Sequence, residues 1–129
     1  MTSMAAARIE LIKSDQGTKQ TAQTAGFVRR ELVARPGVWI GTLHTPPGSI
    51  SGWHHHGDYE TYIHVQVGQA RMEFGPGGQE SCVAAPGDII FVPKSAIHRE
   101  ANPGDEQNLA LLVRLGSGEP VFNVEGPAA

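Results

Sequence analysis

Glycine and proline interrupt this chain so often that a long helix has no room to form. Gly at 16 and Pro at 9 make up about a fifth of the 129 residues, against ordinary usage of ~12%. They cluster as turn signals at Arg35-Pro36-Gly37, Pro46-Pro47-Gly48, Gly75–Gly78, Ala85-Pro86-Gly87 and Asn102-Pro103-Gly104. Between the turns lie short apolar or alternating runs rich in β-branched and aromatic residues, the pattern of strands. The runs are Phe27–Val33, Val38–His44, Tyr59–Val67, Ala70–Phe74, Glu80–Ala84, Asp88–Val92, His98–Ala101 and Leu109–Arg114. Arg8–Ile12 and Val121–Val124 are further short candidates, the second as an edge strand, and Ser14–Gly26 reads as a polar loop. About nine short strands and no sustained 3.6-residue period predict an all-β sandwich or closed barrel.

The length suits one domain, and 40% hydrophobic against 18% charged residues is enough to build a core. We divide the chain into an N-terminal strand and polar loop (1–26), a barrel (27–115) and a C-terminal tail (116–129). A net charge of −3 with no basic stripe excludes the electrostatic footprint of a nucleic-acid binder. No apolar run approaches the ~20 residues that span a bilayer. The segment Met1–Lys13, with Arg8, Glu10 and Lys13, lacks the apolar core of a signal peptide. A single cysteine, Cys82, allows no internal disulfide. A cytoplasmic protein is the expectation, with Cys82 a buried, inert thiol.

The six histidines are concentrated, four of them within Trp53–His64. On a strand, residues two apart point to the same face. His54 and His56 can therefore converge on one ion while His55 points away. Glu60 follows four residues later as a candidate carboxylate, and His98, just past the strand end at Val92-Pro93, is the candidate third imidazole. Three imidazoles and a carboxylate suit Fe(II), Mn(II), Ni(II), Zn(II) or Cu(II).

The spacings carry more than the residue types. Gly48, five residues, His54-x-His56, three residues, Glu60 and then Gly68 resembles the first motif of the cupin family. Gly87, five residues, Pro93-Lys94-Ser95, two residues, His98, three residues and Asn102 resembles the second. The resemblance implies a double-stranded β-helix (jelly-roll) barrel. It also implies one divalent metal held by His54, His56 and His98, with Glu60 as fourth ligand, a small-molecule substrate and a homodimer. Two positions depart from the pattern. Ser95 stands where a glycine is usual, and seven residues rather than six separate Glu60 from Gly68. Counted back from Gly68, Thr61 takes the ligand position. The extra residue flips side-chain parity unless a bulge absorbs it. If Glu60 faces inward, so do Tyr62, His64 and Gln66, and Tyr62 and His64 become candidate acid–base groups. The alternative is a three-His site with positions open to water and substrate, in which Glu60 supports the ligands or acts as an acid–base residue. If Thr61 faces inward, Ile63, Val65 and Val67 turn in with it.

Arg30, Arg71 and Arg99 lie on expected strands, where an inward arginine could clamp a substrate carboxylate. Arg71 and Trp53 are the substrate-binding candidates. Phe74, Phe91 and Met72 are expected in the core. The metal-dependent reading is a dioxygenase-like oxidoreductase acting on a small organic molecule. The alternatives are a metal-dependent isomerase or lyase, and a non-catalytic ligand-binding module.

Overall fold

A computed structural model of the chain describes residues 7–19 and 27–129. Eleven strands are present among them: β1 (Thr18–Lys19), β2 (Val28–Arg35), β3 (Val38–Thr45), β4 (His54–His55), β5 (Glu60–Val67), β6 (Ala70–Phe74), β7 (Glu80–Ala84), β8 (Ile89–Val92), β9 (Arg99–Ala101), β10 (Asn108–Leu115) and β11 (Phe122–Asn123). They form a six-stranded sheet in the order β1-β2-β3-β10-β5-β8, a three-stranded sheet β7-β6-β9 and a pair β11-β4. The sheets pack as the two layers of a double-stranded β-helix. No helix among the described residues is long and apolar enough to cross a membrane.

The turn chemistry fixes where each strand stops. Gly68 takes φ +74° at the β5–β6 turn, and a Cβ there would stand 2.7 Å from the Gln107 carbonyl oxygen. Only glycine satisfies both constraints. Asn102 ties the loop after β9. Its Nδ2 donates to the carbonyls of Thr45 and Glu106 (3.0 and 2.9 Å), and its Oδ1 accepts from Gly104 N (3.0 Å). Ser95 takes up the left-handed conformation of the glycine it replaces, with φ +58°.

Alternation places the core. Leu43, Ile63, Leu112, Ala110, Met72, Val92 and Phe27 form one buried cluster, and Val65, Ala70 and Ala84 a second, with Ile90 packed against both. Each fully buried Val, Leu, Ile, Phe or Met side chain among them contributes about 1.5–3 kcal/mol. The expected core position of Met72 holds, and Phe74 packs on the cluster while partly buried. Phe91 instead faces out at 47% exposure, on the same side as its neighbour Tyr62. Cys82 is also exposed rather than buried, because β7 lies on the open edge of its sheet.

Two local readings change at the ends of the chain. Arg8–Ile12 forms no strand, and Ile9 and Leu11 are exposed. That stretch pairs with no neighbouring strand, although Glu10 accepts from Arg35 at 2.8 Å. Within the expected polar loop, Ser14–Gln16 makes a short 3-10 turn before β1, and residues 20–26 lie outside the described residues. The tail supplies β11, which pairs with β4 of the same chain, Phe122 opposite His55 and Asn123 opposite His54.

Candidate metal centre

The centre is built by two segments lying antiparallel. Ser51 N donates to the Glu100 carbonyl at 2.8 Å, and His54 and His98 exchange both backbone hydrogen bonds at 2.9 Å. This bridge puts His54 directly opposite His98. Side chains two residues away share the same face. His56 therefore joins from one side of the pair and Glu100 from the other. One ligand atom from each of His54, His56, His98 and Glu100 lies within 4.8 Å of all the others, and all four residues are buried.

The imidazoles are pre-oriented. Nδ1 of His54 lies 2.9 Å from the Gly52 carbonyl, Nδ1 of His56 lies 2.8 Å from that of Pro120, and Nδ1 of His98 lies 2.8 Å from that of Ala96. A carbonyl oxygen can only accept, so each Nδ1 carries the proton and donates it. Each Nε2 is left turned toward the shared centre, the arrangement that fixes tautomer and ring angle in metal-ligating histidines. Among the described residues, His54 Nε2 is buried with no hydrogen-bond partner. A cation at the centre would satisfy that orphaned atom, so the donor set fits a divalent transition metal.

Electrostatics agrees with that fit. The His56 imidazole is pushed down to about 3 by burial and by His98, so it stays neutral and able to ligate. Burial pushes the Glu100 carboxyl up, but the His98 hydrogen bond and the nearby His54 and His98 imidazoles outweigh it and hold it well below the usual carboxylate range. Glu100 Oε1 stands 3.3 Å from His98 Nε2 and 3.7 Å from His54 Nε2. A buried carboxylate at this position demands a positive partner, either a proton on a neighbouring Nε2 or a metal ion.

The carboxylate therefore comes from β9 and not from β5. Ala110 pairs with Val65 but Leu109 with Val67, so Gln66 is an extra residue in a bulge. Upstream of it Thr61, Ile63 and Val65 face inward and are buried. Glu60 is thereby turned away from the cluster, on the outer side with Tyr62 and His64. Tyr62 is 40% exposed and its ring packs on Phe91 at 5.0 Å, while His64 is half-buried opposite Leu111 and Ile89. The signal for Glu100 is present in the sequence, since His98-x-Glu100 has the same two-residue spacing as His54-x-His56.

Arg71 and Trp53 belong to a network away from the four ligands. Arg71 and Arg99 both donate to Glu73 (3.2 and 2.6 Å from Nε), and the Arg99 guanidinium sits 4.6 Å from the Trp53 ring centroid. Arg30 is exposed. The inward arginines are instead Arg29 and Arg114, both buried. His55 points away from the centre, as its parity requires, and stacks on Phe122 at 4.9 Å. A cavity of about 580 Å³ reaches His98 and is walled by Met72, Phe74, Ile90, Val92 and Ala96, among others. Neither Arg71 nor Trp53 lines it.

A sequence model of the family described as Cupin domain matches residues 41–114, more than half of the chain. The chain belongs to the cupin family. A search of curated protein sequences found no match. Solved structures give the same fold at low identity. This cupin is 18% identical to a Klebsiella pneumoniae protein described as having a double-stranded β-helix domain, covering 92% of this chain and 99% of that one, with TM-score 0.72. It is 18% identical to the polyketide cyclase RemF from Streptomyces resistomycificus, covering 91% and 86%, with TM-score 0.75. It is 17% identical to a predicted oxalate decarboxylase from Thermotoga maritima, covering 82% and 98%, with TM-score 0.70.

Proposed function

We propose that this cupin is a metal-dependent enzyme acting on a small organic molecule, with dioxygenase-like oxidoreductase chemistry. The observation that carries the proposal is the buried set His54, His56, His98 and Glu100, with every Nδ1 tied to a backbone carbonyl and the Nε2 atoms left for one ion. A bound divalent ion would polarise a substrate oxygen and, if redox-active, support reaction with O₂. The protein's own part is to hold the donors rigid, keep them deprotonated and limit water. The cavity at His98 falls within the ~300–1,000 Å³ typical of small-ligand pockets. Its walls of Met72, Phe74, Ile90 and Val92 favour an apolar substrate body and admit O₂, itself apolar.

A second reading, a metal-dependent lyase or isomerase, is favoured by the names of two similar structures, a polyketide cyclase and a predicted oxalate decarboxylase. The two separate experimentally. Metal analysis of untagged protein purified without chelator comes first, followed by oxygen-electrode measurements with candidate enols and small acids. Iron with substrate-dependent oxygen uptake supports the dioxygenase reading. Turnover without oxygen uptake replaces it with the lyase or isomerase reading. Absence of metal, even after adding Fe(II), Mn(II) or Zn(II), overturns both.

We further propose that the protein works as a homodimer. The outer side of the edge strand β8 and its neighbour β5 exposes Ile89, Phe91 and Tyr62 at 64%, 47% and 40%. Contiguous apolar exposure of this kind marks an association surface. Light scattering that returns the mass of one chain, 13.8 kDa, would refute it.

A further inference from the structure

We infer that Arg114, reinforced by Arg29, is the anion-recognising element of the interior, so that the substrate carries a carboxylate or similar anionic group. The inference deepens the metal-dependent reading and rests on it for calling the bound molecule a substrate. Arg114 lies near the end of β10 with its side chain inward and only 3% exposed. Among the described residues, its Nε is buried with no hydrogen-bond partner. Its guanidinium is held 4.9 Å from the Trp39 ring centroid, a cation–π contact that orients the fork without satisfying its donors. Thr61 stands opposite Arg114 in the β5–β10 register, and Thr61 Oγ1 is likewise buried without a partner among the described residues. An orphaned N–H and an orphaned hydroxyl on paired strand positions are costly unless a ligand fills them.

The charge balance points the same way. Arg29 is 2% exposed and Arg114 3%, while Glu100 is the single buried carboxylate among the described residues. Glu100 is already engaged by His54 and His98. Burial lowers both arginines, and Arg29 lowers Arg114 further, to about 10, against the raising influence of Glu100 and Tyr59. The charge of Arg114 also reaches His56. The arginines thus share one interior with the metal centre. A cleft of about 340 Å³ opens at the end of the sheet where β2 turns into β3 and β10 ends, and one of its walls is Trp39, the ring that Arg114 packs on. A carboxylate at Arg114 would meet a guanidinium fork suited to bidentate pairing.

Calorimetry with malonate and its uncharged diamide tests the site in chelator-treated and in Mn(II)-loaded protein. In the chelator-treated protein, malonate should bind at least tenfold more tightly than malonamide. Arg114→Gln should weaken malonate about ten- to hundredfold, and Arg114→Lys should recover part of the loss. Equal binding of malonate and malonamide, or an Arg114→Gln variant as tight as wild type, overturns the inference. The malonate–malonamide comparison needs no variant, so it decides even if Arg114→Gln fails to fold. Mn(II) occupancy read by EPR keeps the two readings apart. Mn(II) bound without anion discrimination sinks the arginine site alone. Anion discrimination without Mn(II) binding sinks the metal centre and leaves the arginine site standing.

Discussion

Strands β5 and β9 each carry a glutamate a few residues after a histidine of the centre, and only β9 delivers its carboxylate. Glu100 is two residues from His98, on a segment hydrogen-bonded to Ser51–His54, so alternation brings it to the same face as its histidine. Glu60 is four residues from His56, but the turn through Gly57 and Asp58 intervenes and β5 enters its sheet with Thr61 inward. A carboxylate therefore counts as a ligand candidate only once the parity of its strand is known. Backbone pairing that continues through both residues transmits parity, and an intervening turn resets it.

The sharpest way to break this comparison is at a histidine both readings share. His56→Ala should lower metal affinity about a hundredfold, since one imidazole and its link to Pro120 are lost together. Metal content of the purified variant by mass spectrometry checks it, and unchanged stoichiometric metal would sink the centre as a whole. Acid should weaken the inner group next. The unfolded chain takes up a proton at His56 near the ordinary value of 6.5, and the folded metal-free protein only near about 3. Between those values the unfolded state binds more protons. Stability of the metal-free protein is thus fully present above 6.5 and falls as pH drops toward 3, by on the order of 2 kcal/mol at pH 5. Urea titrations of chelator-treated protein at pH 7.5 and pH 5 read this directly, and equal midpoints would contradict it.

Direct comparison of the two carboxylates follows. Glu100→Gln should cost about tenfold in metal affinity, whereas Glu60→Gln should change it less than about twofold. The reverse ranking in a competitive chelator titration would restore Glu60 as ligand. The smallest effect is expected in the turn before β9. Ser95 holds φ +58°, where a Cβ costs about 1–2 kcal/mol. The glycine variant gains back much of that strain but loses more chain entropy on folding. Ser95→Gly should therefore raise stability by roughly half a kcal/mol, seen as a higher denaturant midpoint with unchanged metal content. A lower midpoint would mean that its contacts to Gly57, through backbone N at 2.9 Å and Oγ at 3.3 Å, outweigh the strain.

The division between the amino-acid sequence and the tertiary fold is physical. Strand positions from Phe27 to Arg114 were legible because turn residues act locally. A glycine at positive φ or a proline without a donor stops a strand whatever lies around it. His54 and His56 were legible for the same reason, since a two-residue period needs only one strand. His98 came from its spacing within the second motif. What pairing and packing across the chain decided was less visible. The bulge at Gln66 set which face of β5 turned inward, and with it the fates of Glu60, Tyr62 and His64. The pairing of β11 with β4 accompanies the contact that brings the Pro120 carbonyl to His56, which no local pattern announces. The inward arginines proved to be Arg29 and Arg114 rather than Arg30, Arg71 or Arg99. Residue type and short spacing determined which side chains could do chemistry here. The register of strands distant in sequence decided which of them meet, because a shift of one residue reverses every side chain on a strand.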